Sequence, residues 1–228
     1  MHPLDHPQWA ALNSEHARFA RRLGMAAAYP PDVTPMSGLA DPLDPQAWRD
    51  LAALLGHGER TFLLFPEPPD LHNAVQPVLQ RFILQMTGPQ KPPETPTAPE
   101  GLVRLDTADG PDMVALASMT EPGPMGLKTM TMGNWFGVRR DGQLVAMAGQ
   151  RMHLTGFTEV SGVCTHPSAR GQGLARNLIL QVMHDIATRG ERSFLHLKTE
   201  NAAARALYES LGFTVRTEIH MSVVEGSR

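Results

Sequence analysis

Arg170-Gly171-Gln172-Gly173 stands between the apolar run Val160–Cys164 and a helix-periodic segment with Ala175, Leu178, Val182 and Ile186 on one stripe. A strand that ends in a Gly-rich turn and opens a helix can hold an anion. The first N–H groups of the helix have no intrahelical partner, and the macrodipole adds partial positive charge there. Glycines let the backbone come close to a phosphate and adopt positive φ. Consecutive N–H groups can then converge on one oxyanion. The same residues also suit a plain strand–turn–helix connection, and the turn alone does not choose between the two. It is not a P-loop, because no Gly-Lys-Ser/Thr follows, and it is not GxGxxG, because Leu174, Ala175 and Arg176 follow Gly173.

A second group lies downstream in "NAAARALYESLGF" (201–213). Asn201, Ala204 and Tyr208 fall at i, i+3 and i+7 and share a helix face, while Ala203, Leu207 and Leu211 form an apolar stripe. Asn201 also suits a helix N-cap, and Tyr208 a packed aromatic. Glu159 sits on the strand that ends at the Gly-rich turn. With period 2, Glu159, Ser161 and Val163 point to one face unless a bulge intervenes. Cys164, the single cysteine, reads as a small buried hydrophobe, since no histidine is arranged to activate it. His166 reads as a turn residue.

The elements that must position these groups read most clearly after residue 100. "LVRL" (102–105) is a strand and 108–119 a helix. "EPGPMGLKTM" (121–130) is a flexible connection. Residues 134–152 form a hairpin turning at Asp141-Gly142. A strand over 157–165, a helix to about Arg189, a strand over 193–198, a helix over 202–211 and a final strand over 213–225 complete the order. This predicts an α+β fold, a mixed sheet with helices on its faces. Residues 88–100 carry five prolines and read as an extended linker. It divides the chain into residues 1–95, a small α/β region of unreadable role, and residues 101–228. Within the first part, 6–12 and 44–56 read as helices, and 61–65 and 81–86 as strands.

Arg170-Gly171-Gln172-Gly173-Leu174-Ala175 fits the pattern Q/R-x-x-G-x-G/A. With the preceding "SGVCTHP", the 201–213 motif and the element order, residues 101–225 resemble the GNAT superfamily of acetyl-CoA-dependent N-acyltransferases. The resemblance implies a GNAT-like fold, with the N-terminal residues as an extension or a degenerate half-domain. It implies that main-chain N–H groups across Arg170, Gly171, Gln172, Gly173, Leu174, Ala175 and Arg176 bind the CoA pyrophosphate. Val163, Cys164 and Thr165 would pair through their backbone with the pantetheine arm. An N–H near Val163 would polarise the thioester, and the sheet would open between this strand and the next. Asn201 would bind CoA, Ala204 would leave room beside it, and Tyr208 would protonate the departing thiolate. Glu159 is the candidate general base, with water as its competitor.

The implied reaction is acetyl transfer from acetyl-CoA to a small-molecule or peptide amine, without an acyl-enzyme. A catalytically inactive CoA-binding sensor is the alternative, and a nucleotide-binding protein a further rival that the missing Walker lysine disfavours. Composition narrows the field. A net charge of −3 is not that of a nucleic-acid binder, and no apolar run approaches the ~20 residues of a membrane span. The lone cysteine and the absence of a secretory signal predict a cytoplasmic protein. The ten histidines lack the spacing of an HExxH zinc helix, so no metal is expected.

Overall fold

The computed structural model describes residues 2–120 and 123–226; Glu121 and Pro122 of the 121–130 connection lie outside the described residues. Eight strands form one sheet in the order β4-β11-β5-β10-β9-β8-β7-β6. They are β4 (Arg60–Phe65), β5 (Val75–Thr87), β6 (Leu102–Leu105), β7 (Trp135–Arg140), β8 (Gln143–Leu154), β9 (Phe157–Thr165), β10 (Arg192–Lys198) and β11 (Thr214–Gly226). β9 and β10 run parallel; every other neighbour pair is antiparallel. Three short strands, β1 (Arg21–Leu23), β2 (Ala26–Ala28) and β3 (Ser37–Leu39), make a separate sheet near the N-terminus.

Helices cover both faces. α4 (Leu174–Ala187) and α5 (Ala202–Ser210) pack on one face, where Leu178, Val182 and Ile186 meet Ala146, Ala148, Val160 and Leu195. These are the residues of the apolar stripe read from the sequence. The other face meets α3 (Gly110–Thr120) at one end, through Met113 and Leu116 against Trp135, Met147 and Cys164. Over the rest of that face lie α1 (Pro7–Leu12) and the segments on either side of it, burying Leu4, Leu12 and Tyr29 against Met152, Phe194 and Ile219. α2 (Pro45–Leu54) adds Trp48 and Leu51 to a further cluster with Leu63 and Phe65 of β4.

The division of the chain at 88–100 does not separate two cores. β5 pairs with β10 through Ile83–Thr87 and with β11 along its whole length, so a strand from the N-terminal region sits inside the sheet. The Pro-rich segment is extended, as its composition predicts, but it is a strap held to the helices. Glu94 meets Arg176 through its carboxylate and His184 through its carbonyl oxygen.

Candidate active site

β9 and β10 share only three register pairs, from Phe157–Arg192 to Glu159–Phe194. Beyond them the strands part, so the facing backbone edges of Val160–Thr165 and Leu195–Lys198 have no ladder partner in each other. A bulge sits on this open edge. Gly162 has φ of 63°, and the β8–β9 register slips between Ser161 and Cys164. Gly162 is required there, because an added Cβ would lie 2.4 Å from the Trp135 ring. The bulge also breaks the alternation expected from the sequence. Val160 and Val163 both pack toward α4, while Cys164 lies toward α3. Glu159 and Val163 therefore occupy opposite faces.

The open edge leads through the single 3-10 turn Pro167–Ala169 into the Gly-rich turn and α4. Gly171 and Gly173 have φ of 75° and 71°, and an added Cβ at either would meet nothing within 4 Å. Side chains are thus excluded by backbone conformation, and the space above the turn is open. Gly173 is the N-cap of α4 and supplies no capping side chain. Among the described residues no protein acceptor takes the N–H groups from Gly171 to Arg176. The hydroxyl oxygen of Thr165, at the end of β9, is buried without a partner. A row of unsatisfied donors, an uncapped helix start and open space together fit a diphosphate and the arm that carries it.

The second motif lies alongside. Asn201 caps α5, its Oδ1 accepting from the Ala204 N–H at 3.1 Å, which leaves its amide NH₂ outward. Ala204 packs against the α4 cluster. Tyr208 is buried, with its ring edge-on to Phe213 at 5.7 Å. Its hydroxyl makes no hydrogen bond among the described residues. Burial, with smaller contributions from Glu159 and Cys164, pushes its pKa up to about 12, so it stays protonated at neutral pH. The Cys164 thiol is likewise pushed up to about 11 by burial, against a hydrogen bond with Thr120. It is a neutral packing group, as expected, and not a nucleophile.

Glu159 differs from its expected role. It is 1% exposed and forms a fork with Arg151, whose Nε and Nη2 donate to Oε2 and Oε1 at 2.9 Å each. His196 Nδ1 lies 2.8 Å from Oε1, and the Met152 N–H points at Oε2 at 3.4 Å. Burial alone would raise the carboxyl pKa. The charge of Arg151 and the hydrogen bonds from His196 and Arg151 outweigh it and hold the value at about 2. Both carboxylate oxygens are engaged, Oε1 by Arg151 and His196 and Oε2 by Arg151 and the Met152 N–H, so Glu159 is held as a buried ion-pair partner.

Sequence reading missed Arg151 and His196. Both lie inside apolar strand runs, "AMAGQRMHL" and "SFLHLK", and a polar residue in such a run is the signal that marks them. The segment after α3 also packs on the N-terminal region. Lys128 N–H donates to Asp32 O at 2.9 Å, and the Thr129 hydroxyl to Val33 O at 2.6 Å.

A sheet that opens beside a bulge and feeds a Gly-rich helix start is the GNAT-like α+β arrangement anticipated from residues 101–225. Comparison with known proteins agrees. The family model of FR47-like protein matches residues 135–221. A crystal structure of a GNAT-family protein from Novosphingobium aromaticivorans, assigned as an acetyltransferase, superimposes over 100% of both chains with a TM-score of 0.89 and 38% identity. The chain belongs to the GNAT family. A mycothiol acetyltransferase from Thermomonospora curvata is 32% identical over 154 residues, 59% of this chain, which spans about half (52%) of that protein. The ribosomal protein bS18-alanine N-acetyltransferase of Escherichia coli is 29% identical over 119 residues, covering 50% of this chain and 80% of that protein. No helix among the described residues is long and apolar enough to cross a membrane.

Proposed function

We propose that the protein transfers an acetyl group from acetyl-CoA to an amine. The observation that carries this reading is the pairing of the opened β9–β10 edge with the donor-lined turn at Gly171–Arg176. The names of the mycothiol and bS18-alanine acetyltransferases support acetyl transfer, to a small molecule in one case and a protein in the other.

Acetyl-CoA supplies an acetyl thioester that a neutral amine attacks directly. The N–H groups from Gly171 to Arg176, with the Arg170 side chain beside them, hold the pyrophosphate. The backbone of Val163, Cys164 and Thr165 pairs with the pantetheine arm as an edge strand pairs with a peptide. The N–H groups at the Gly162 bulge, near Val163, donate to the thioester oxygen. The Asn201 amide NH₂ binds the cosubstrate, and Ala204 leaves it room. Tyr208 donates a hydrogen bond to the departing sulfur. Water takes the proton from the amine, since Glu159 is committed to Arg151 and His196. The N-terminal residues and the 123–133 segment wall the acceptor side, consistent with their contacts at Asp32 and Val33.

The test is calorimetric stabilisation by CoA together with acetyl transfer to a panel of amines. A ligand at about 100 times its Kd adds roughly 2.7 kcal/mol to the stability of a protein that binds it only when folded. Gly173→Glu places a carboxylate and a strained φ in the cradle, and the CoA-dependent shift should vanish in that variant. No shift for the wild type at saturating CoA would defeat the proposal.

A further inference from the structure

His16 is 1% exposed and stands just before the 3-10 turn Ala17–Phe19. Its Nε2 lies 3.0 Å from Met132 O, and its Nδ1 lies 2.9 Å from the Tyr29 hydroxyl. A carbonyl oxygen only accepts, so Nε2 carries the hydrogen and Nδ1 accepts from Tyr29. One tautomer serves both contacts. Burial pushes the His16 pKa down to about 4, so the ring is neutral at pH 7. Burial also raises the Tyr29 pKa, which keeps its hydroxyl a donor. Phe19, Tyr29 and His153 stand edge-on to the imidazole, with centroids at 5.2, 5.8 and 6.1 Å, and fix its plane.

Met132 ends the single turn Thr129–Met132 in the segment after α3. That segment reaches the bulge on β9. A Cβ added at Gly162 would lie 3.2 Å from the terminal methyl of Met125 and 2.4 Å from the Trp135 ring. Met130 packs with Trp135 and Cys164, while Met132 packs into the N-terminal cluster with Leu12 and Tyr29. The turn therefore joins the bulge to the N-terminal region. A Cβ added at Gly126 would lie 2.5 Å from Asp32 O, so the two backbones approach closely. Lys128 Nζ meets Asp32 at 2.6 Å and Arg18 Nη2 meets Thr131 O at 3.5 Å, but both side chains are exposed, and such contacts hold weakly in water. The buried side-chain ties are the Thr129 hydroxyl to Val33 O and His16 to Met132 O.

We infer that His16 is a positioning residue for the acceptor amine: it fixes the backbone of the 125–132 segment, and through it Met125 and Met130 beside the Gly162 bulge. The inference rests on the acetyl-transfer reading, in which the amine attacks at that bulge. One turn of 3-10 helix has too few internal hydrogen bonds to hold its own place. Its position comes from what grips it. Attack needs the reacting atoms ~3–3.5 Å apart, and a displacement of ~1 Å can cost about a hundredfold.

The test uses the full-length protein, acetyl-CoA and the best acceptor from a panel of alanyl peptides, amino sugars and alkyl amines. His16→Ala strands Met132 O and should raise KM for that amine about 5- to 150-fold, the range for one buried acceptor left unpaired. KM for acetyl-CoA and the stabilisation by CoA should hold, because no hydrogen bond among the described residues joins this segment to the turn at Gly171–Arg176. His16→Gln brings an amide N–H close to the place of Nε2 and should recover most of the loss. Thr129→Val is nearly isosteric, removes the other buried tie and should raise the same constant. A merely structural His16 would lower Tm and leave the amine KM intact, which overturns the inference; so does an equal rise in KM for acetyl-CoA. Where His16→Ala does not fold, Thr129→Val decides, and an unchanged amine KM in that variant overturns the inference. Each of these results leaves the acetyl-transfer reading standing. A wild type that acetylates no amine defeats that reading and this inference with it.

Discussion

Replacing Tyr208 with Phe separates its two duties. The ring keeps its edge-on contact with Phe213, and the lost hydroxyl has no partner among the described residues, so stability should change by less than about 1 kcal/mol. Chemistry should suffer by a limited amount, and the pKa sets the limit. Burial holds the phenol at about 12, while an ordinary thiol titrates near 8.5. Full proton transfer from Tyr208 to the thiolate is then uphill by roughly 3.5 units, about 5 kcal/mol at ~1.4 kcal/mol per unit. In the proposed reaction the phenol would therefore act as a hydrogen-bond donor to developing charge more than as a complete acid. A charge-assisted hydrogen bond is worth ~1.5–3 kcal/mol, which converts to about 10- to 150-fold in rate. Single-turnover acetyl transfer by rapid quench should show a loss in that range, with CoA affinity unchanged by titration. The wild-type pH–rate profile should carry no limb from Tyr208 below about pH 11, because the group remains protonated throughout that range. An unchanged single-turnover rate would leave Tyr208 a packing residue. A loss near ten-thousandfold would show that the phenol transfers its proton fully and that its pKa is much lower.

Two further outcomes are expected. Glu159→Gln leaves the Arg151 charge buried without its counter-ion and should destabilise the protein by ~3–5 kcal/mol at pH 7 by urea denaturation. The Glu159 pKa is depressed from 4.5 to about 2, so its contribution is full above about pH 4.5 and fades as pH falls toward 2. The gap between variant and wild type should narrow over that window; a gap independent of pH would count against the pairing. A truncation that begins at Glu100 removes β5 and should not give cooperative unfolding by circular dichroism. A folded truncation that still binds CoA would contradict a shared sheet.

The second half of the fold was legible because its signals are local. The Asp141-Gly142 turn, the stripe from Ala175 to Ile186 and the run at 157–165 each specify an element within a few residues of themselves. The sharing of one sheet by both halves was not legible. β5 pairs with strands more than a hundred residues away, and nothing in "RFILQM" names its neighbours. Five prolines after it mark an extended path, which a strap and a domain linker share. The shape of the Gly-rich turn and the helix that carries Tyr208 were readable because glycine spacing and helix periodicity report geometry directly. The fate of Glu159 was not, because it depends on Arg151 across the ladder, His196 on the next strand and a bulge at Gly162.

The placement of β5 also governs when the protein can close during synthesis. β4 and β5 leave the ribosome early, yet neither pairs with the other in the finished sheet; both bond to β11, which is made after every other strand. At ~5–20 residues per second, the ~130 residues between them take roughly 6–26 seconds to appear. For that interval the edges of β4 and β5 that β11 will fill stay open, and the C-terminal half cannot mature ahead of the N-terminal region. Closure is a single late event, and the nascent chain depends on what shields those edges until it occurs.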